Sequence, residues 1–234
     1  MIGIVVPVHN ESATLADCLF ALRHAAIAPA LAGEQVDIVA VLDTCTDDSA
    51  SIAATCGITV LSADLRNVGR ARALGAELMV ARGARWLAFT DADSLVAPDW
   101  LVMQLSLEAD LVCGCVEVQD WSEHSDAVRE RYLSRYVHAD GHHHIHGANL
   151  GIAVDTYRAA GGFPPLVSGE DVALVDASLA VGARVAWSVA PRVYTSARRR
   201  ARAPGGFSDY LRMLGETTLV GGLSGLPGPL AAAP

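Results

Sequence analysis

Along the first 95 or so positions the chain repeats one order: a short apolar run, a polar loop, then a stretch with apolar residues every three or four places. Ile2 to Val6 is rich in β-branched residues and ends at Pro7, the signature of a buried strand. Val8 to Glu11 forms a loop, and Ser12 is placed to cap a helix whose Leu15, Leu19 and Leu22 share one face. Val36 to Leu42 is a second strand, followed by a polar loop from Asp43 to Asp47 and an Ala-rich helix reaching Cys56. Ile58 to Leu61 is a third strand, Asn67 to Ala81 a helix, and Trp86 to Thr90 a fourth strand. Strand and helix alternating four times predict a parallel sheet with right-handed crossovers. Ligands of such sheets bind beyond the carboxyl ends of the strands.

The second half is less regular. Pro98 to Leu107 and Ser122 to Val137 read as helices, with Leu111 to Val118 a strand between them. Gly169 to Asp171 open a helix running through Leu179, Ala183 to Trp187 and Val193 to Thr195 read as late strands, and Gly206 to Leu219 as a last helix. We expect residues 1–95 and 96–219 to be two halves of one domain, with 220–234, rich in Gly, Pro and Ala, a flexible tail.

With 52% hydrophobic and 18% charged residues, the chain can bury a sizeable core, and global disorder is excluded. Its formal charge is −9, which argues against nucleic acid as a partner. No stretch is long and apolar enough to span a membrane, and the N-terminus lacks the basic region and cleavage site of a signal peptide. Five irregularly spaced cysteines complete no zinc site. Buried free thiols in a reducing cytoplasm are the expectation.

Three loops share the ligand edge: Pro7 to Glu11, Asp43 to Asp47 and Asp91 to Ser94. All are dense in carboxylates and hydrogen-bonding groups. Asp91 and Asp93, spaced i, i+2 after a buried strand, offer hard oxygen donors suited to Mg²⁺ or Mn²⁺ carried on a phosphate ligand. The plainer reading makes Asp91 a turn residue and Asp93 or Ser94 a helix cap. Neither a G-x-G-x-x-G nor a G-x-x-x-x-G-K motif is present.

Six segments in order carry a resemblance: VVPVHNE (Val5 to Glu11), DTCTDDS (Asp43 to Ser49), NVGRARALGAE (Asn67 to Glu77), TDADS (Thr90 to Ser94), HGANLGI (His146 to Ile152) and GEDVAL (Gly169 to Leu174). Together they resemble the family 2 glycosyltransferases of the GT-A fold. The resemblance implies an α/β fold with a Rossmann-like, mostly parallel central sheet flanked by helices and a smaller acceptor-side sheet. It implies metal-dependent transfer of one sugar from a UDP- or GDP-linked donor to an acceptor hydroxyl, with inversion. Pro7, His9, Glu11 and Asp43 would line the base pocket, and Arg70 would approach the base or phosphates. Asp91 would contact the ribose or a metal-bound water, and Asp93 the metal. Asp171, with Glu170 beside it, would be the general base. A carboxylate beside another acid and partly buried has a raised pKa, which suits a base. Charge at a helix N-terminus is the plainer account of the pair.

Departures from the family pattern matter too. The processive members' Gln-x-x-Arg-Trp motif is absent, and no His follows the last strand, where some GT-A enzymes place a further metal ligand. His142, His143, His144 and His146 form a tract open to three readings: a solvated or packed loop, sugar or acceptor contacts, or metal ligation. His146 and Asn149 adjoin the family motif and are the candidates for sugar contact. Arg198 to Arg202 would close over a diphosphate or form a solvated basic turn. Trp121, Trp187 and Tyr210 would stack on a sugar or simply pack. The rival functions are a nucleotidyltransferase acting on a sugar phosphate and a non-catalytic binding module.

Overall fold

The computed structural model describes residues 1–199 and 206–216. Strands β1 (Ile2–Val8), β2 (Val36–Asp43), β3 (Thr59–Ala63) and β4 (Trp86–Phe89) alternate with helices α1 (Leu15–Ala26), α2 (Ser49–Thr55) and α3 (Val68–Ala81). All pairings among these four strands are parallel, with β1 between β2 and β4. The apolar runs form strands because both sheet faces are covered, so continuous hydrophobicity replaces alternation.

Beyond β4 the chain runs through β5 (Ser94–Val96), α4 (Trp100–Ser106), β6 (Leu111–Val118), α5 (Asp126–Arg135), β7 (Leu150–Ala153), α6 (Val154–Ala159), α7 (Glu170–Ala180), β8 (Val185–Thr195) and α8 (Phe207–Glu216). The eight strands make one sheet in the order β3-β2-β1-β4-β7-β6-β8-β5. The acceptor-side strands expected as a smaller sheet therefore extend the central one. β7 enters antiparallel to both β4 and β6, and β5 antiparallel to β8.

Leu15, Leu19, Leu22, Trp100 and Leu101 pack with β1 residues Ile2, Ile4 and Val6 on one side of the sheet. Ala71, Ala76, Met79, Leu174 and Val175 pack with Val5, Leu87 and Phe89 on the other. A third cluster joins Val128 and Tyr132 of α5 to Leu211 and Leu214 of α8.

Several sequence expectations are corrected. Thr14, not Ser12, precedes α1; the Ser12 amide instead donates to Asp47 Oδ2 at 2.9 Å, tying the first loop to the second. The two late strands are one, β8, with an irregularity against Gly114–Val116 of β6. Ser94 caps no helix; it begins β5, and its hydroxyl donates to Thr195 Oγ1 at 2.9 Å. The HGANLGI segment supplies β7, a strand the pattern did not separate from its loop. The expected tail at 220–234 lies outside the described residues.

Candidate active site

The loops after β1, β2 and β4 open on one cavity of about 1000 Å³, closed on its far side by the start of α7, the end of β8 and one face of α8. Pro7, His9, Glu11, Asp43, Asp91, Asp93, His146, Glu170 and Asp171 all line it. The topology therefore brings together residues from five separate segments of the sequence.

At the outer end, backbone geometry is tightly held. Asp43 accepts the amides of Leu65 and Arg66 on Oδ1 (2.7 and 2.8 Å) and that of Asn67 on Oδ2 (2.9 Å). Burial alone would raise this carboxyl; the three amides overcome it and hold the group below its ordinary value. His9 Nδ1 lies 2.6 Å from the Asp43 carbonyl, and Asn10 Oδ1 accepts the Thr46 amide at 2.7 Å. Asn10, Thr44 and Arg66, all lining the cavity, hold left-handed backbone at φ 56, 54 and 47°. Non-glycine residues keep such conformations where surrounding bonds over-determine them.

At the centre, Arg72 is buried and spans two carboxylates. One guanidinium nitrogen donates to Asp91 Oδ1 at 2.5 Å and the other to Glu170 Oε1. The pair fits because neighbouring residues are small. A Cβ on Gly147 would meet the Arg72 guanidinium at 2.5 Å, and one on Gly69 would meet Glu170 at 2.9 Å. Burial raises the Glu170 carboxyl, with Arg72 pulling the other way. Glu170, expected beside the base, is thus a partner of Arg72.

Asp171 follows at the first turn of α7. Its Oδ2 accepts the Gly147 amide at 2.8 Å and its Oδ1 the Val172 amide at 2.9 Å. These bonds fix the carboxylate on the cavity wall. The loop before α7 is tied to the cap of α3: Asn67 Oδ1 accepts the Arg70 amide at 2.8 Å while its Nδ2 donates to Leu166 O at 2.7 Å.

Opposite, Arg198 forks Glu11 at 2.6 and 2.7 Å and reaches Asp93 Oδ2 at 3.2 Å. Glu11, expected in the base pocket, is committed to this fork. Burial pushes the Asp93 carboxyl up to about 6, against the pull of Arg198. Asp91 and Asp93 suit a divalent cation in part. Each has one oxygen engaged by an arginine, and the described residues contain no cluster of three or more His, Cys, Asp or Glu able to hold a metal alone. Such a pair fits Mg²⁺ or Mn²⁺ arriving on a diphosphate, which keeps most of its ligands from phosphate and water.

Two expected site residues are elsewhere. Arg70 lies on the exposed side of α3 and does not line the cavity; Arg72, two residues on, occupies the site instead. Asn149 is fully buried behind the wall. Its Oδ1 accepts Trp100 Nε1 at 2.9 Å, and its Nδ2 donates to the carbonyls of Cys115 (2.7 Å) and Pro191 (2.8 Å). With its hydrogen-bonding groups so taken, it braces β6, β8 and α4 rather than contacting a sugar.

His142, His144 and His146 form a buried stack, and His143 is exposed. Tyr136 stacks on His144 at 4.1 Å between ring centres and lies 5.8 Å from His146. His142 and His143 pack against Trp187, and Trp121 against Tyr132. Of the three aromatic candidates only Tyr210 faces the cavity, beside Phe207 and Met213.

Residues 3–160 match the family model described as "Glycosyl transferase family 2". No curated protein matches the chain by sequence. Among solved structures, S. aureus TarS residues 1–349 in complex with UDP-GlcNAc is 15% identical, with 95% of this chain and 68% of that one covered at a TM-score of 0.64. A longer S. aureus TarS chain is covered over only 40% of its length. The mannosyltransferase PcManGT from Pyrobaculum calidifontis, in complex with GDP-Man and Mn²⁺, is 17% identical (94% and 70% covered, TM-score 0.63). Glucosyl-3-phosphoglycerate synthase from Mycobacterium tuberculosis, in complex with Mn²⁺, UDP and glucosyl-3-phosphoglycerate, is 16% identical (94% and 77% covered, TM-score 0.58). At these identities the likeness is one of fold.

Proposed function

This chain belongs to glycosyl transferase family 2, and from that premise we propose that it transfers a single sugar from a UDP- or GDP-linked donor to an acceptor hydroxyl, inverting the anomeric centre. One observation carries the reading: Asp91 and Asp93 face one cavity with Asp171, and Arg72 binds the first carboxylate and the neighbour of the last. The donor's nucleoside would lie against Pro7, His9 and the Asp43 loop. Its diphosphate would reach Asp91, Asp93 and Arg198, leaving the sugar beside His146 and Asp171.

Asp91 and Asp93 would hold Mg²⁺ or Mn²⁺, which acts as a Lewis acid on the leaving diphosphate. Arg198 would turn from Glu11 toward the phosphate oxygens, whose geometry its planar fork matches. Asp171, fixed by the Gly147 amide, would take the acceptor hydroxyl's proton as that oxygen attacks the anomeric carbon. The bond from that carbon to the β-phosphate oxygen breaks, and the nucleoside diphosphate leaves. Attack opposite the leaving group inverts the centre. Phe207, Tyr210 and Met213 of α8 would form an apolar wall for the acceptor. No helix among the described residues is long and apolar enough to cross a membrane, and all five cysteines are free thiols, which suits a cytoplasmic enzyme.

The test is to incubate the protein with UDP- and GDP-sugars, Mn²⁺ and candidate acceptors, and follow phosphorus by NMR. Release of nucleoside diphosphate with a new glycoside is expected. Release of pyrophosphate from a nucleoside triphosphate and a sugar phosphate would instead establish a nucleotidyltransferase.

A further inference from the structure

The histidine tract has a second consequence, reached through Tyr136. The phenol oxygen of Tyr136 accepts the Val116 amide at 2.9 Å and sits 3.0 Å from His146 Nε2. The hydroxyl keeps its proton to donate, with His146 Nε2 and the Cys115 thiol as the acceptors beside it. Donation to Nε2 makes His146 the Nδ1–H tautomer. The neighbouring rings obey the same rule. His144 Nε2 accepts the Val137 amide at 3.0 Å, and His142 Nδ1 accepts the His144 amide at 3.1 Å. Each buried imidazole takes a donor on one nitrogen, so the stack is built to be neutral.

His146 lines the cavity, one residue before the amide that binds Asp171. Its Nε2 is committed to Tyr136, and among the described residues no protein group takes Nδ1. We propose that Tyr136 is a positioning residue that fixes His146 as a neutral Nδ1–H donor to a carbohydrate hydroxyl bound beside Asp171. Burial and the two neighbouring imidazoles hold the ring's pKa down to about 3, so it keeps one donor and no charge across the working range. A charged ring there would pair with Asp171 and compromise it as a base; a neutral N–H orients a hydroxyl without doing so. This inference rests on the nucleotide-sugar reading for the identity of the ligand, but not for the tautomer.

The test is nitrogen-15 NMR of histidine-labelled protein, combined with calorimetric titration of UDP and UDP-GlcNAc, and of GDP and GDP-mannose, in the presence of Mn²⁺. From pH about 7.5 down to about 5, His146 should show a protonated Nδ1 and an unprotonated Nε2. Tyr136→Phe should mix the tautomers. His146→Asn keeps an amide donor where Nδ1 stands, and should bind the conjugate within about threefold of the parent. His146→Gln places its amide at the Nε2 position, and should lose about tenfold toward the conjugate and nothing toward the free nucleotide. An Nε2–H tautomer, or equal losses in the Asn and Gln variants, overturns the inference. An Nδ1–H tautomer in a protein that binds neither conjugate overturns the nucleotide-sugar reading, and with it the ligand assigned to His146.

Discussion

Arg72 and Glu170, 98 positions apart in the chain, meet in a buried ion pair, and the second nitrogen of Arg72 lies 2.5 Å from Asp91. One side chain of α3 therefore joins the Asp-x-Asp turn to the first residue of α7. Removing it leaves two carboxylates facing each other without a counter-charge. Arg72→Ala should cost about 3–5 kcal/mol of stability, the usual effect of breaking a buried pair from one side. Arg72→Lys should retain part of the stability, because one ammonium cannot reach two carboxylates as a fork does. Urea unfolding of the three proteins measures both.

Asp93→Ala and Asp171→Asn should separate binding from chemistry. The first removes the carboxylate proposed for the cation, so Mn²⁺-dependent donor binding should be lost. The second keeps the shape and the bond from the Gly147 amide, so binding should persist while turnover falls by 10²-fold or more, the range for losing a general base. Unchanged turnover in Asp171→Asn would remove Asp171 from the role.

Arg198→Ala should weaken the nucleoside diphosphate by about tenfold and leave the bare nucleoside unaffected, since a guanidinium fork is a phosphate partner. Comparative titration of UDP and uridine, or GDP and guanosine, reads this directly. Equal loss for both members of a pair would make Arg198 a brace for Glu11 alone.

Between pH about 7 and 5 two kinds of group act on the fold with opposite sign: the buried imidazoles lose stability as pH falls, and the Asp93 carboxyl, at about 6 when folded, gains it. His146 titrates near 6.5 when unfolded and at about 3 when folded, and His142 is shifted in the same direction. Above pH 6.5 both states are neutral and the full stability is present. Below it the unfolded chain binds protons that the folded chain refuses, so His146 lowers stability by about 1.4 kcal/mol per unit as pH falls, and His142 acts in the same direction. With Asp93→Asn removing the opposing carboxyl, unfolding midpoints between pH about 7 and 5 should show this slope, and adding His146→Asn should reduce it by about one proton.

Much of this was legible in the sequence. Strand runs closed by Pro7, Asp43 and Asp91 revealed the parallel half, and Asp93 and Asp171 line the cavity. Arg72 was missed although a signal existed. It stands three and seven residues before Gly75 and Met79, on the face of α3 that is buried, whereas Arg70 lies about 200° around the helix from it. An arginine in an otherwise small and apolar stripe needs buried carboxylates, and helical phase would have chosen it over Arg70. Asn149 shows the opposite failure. Its motif neighbours line the cavity, but its amide is consumed by Trp100, Cys115 and Pro191, contacts that depend on strand order and leave no local pattern. The fork of Arg198 on Glu11, 187 positions apart, is illegible for the same reason.

Calorimetric titration of the protein with UDP, GDP and their sugar conjugates, with and without Mn²⁺, tests the central claim most directly. The account predicts that one nucleotide and its conjugates bind, and that the affinity depends on the metal through Asp91 and Asp93. Failure of every nucleotide and conjugate to bind in the presence of Mn²⁺ would contradict it.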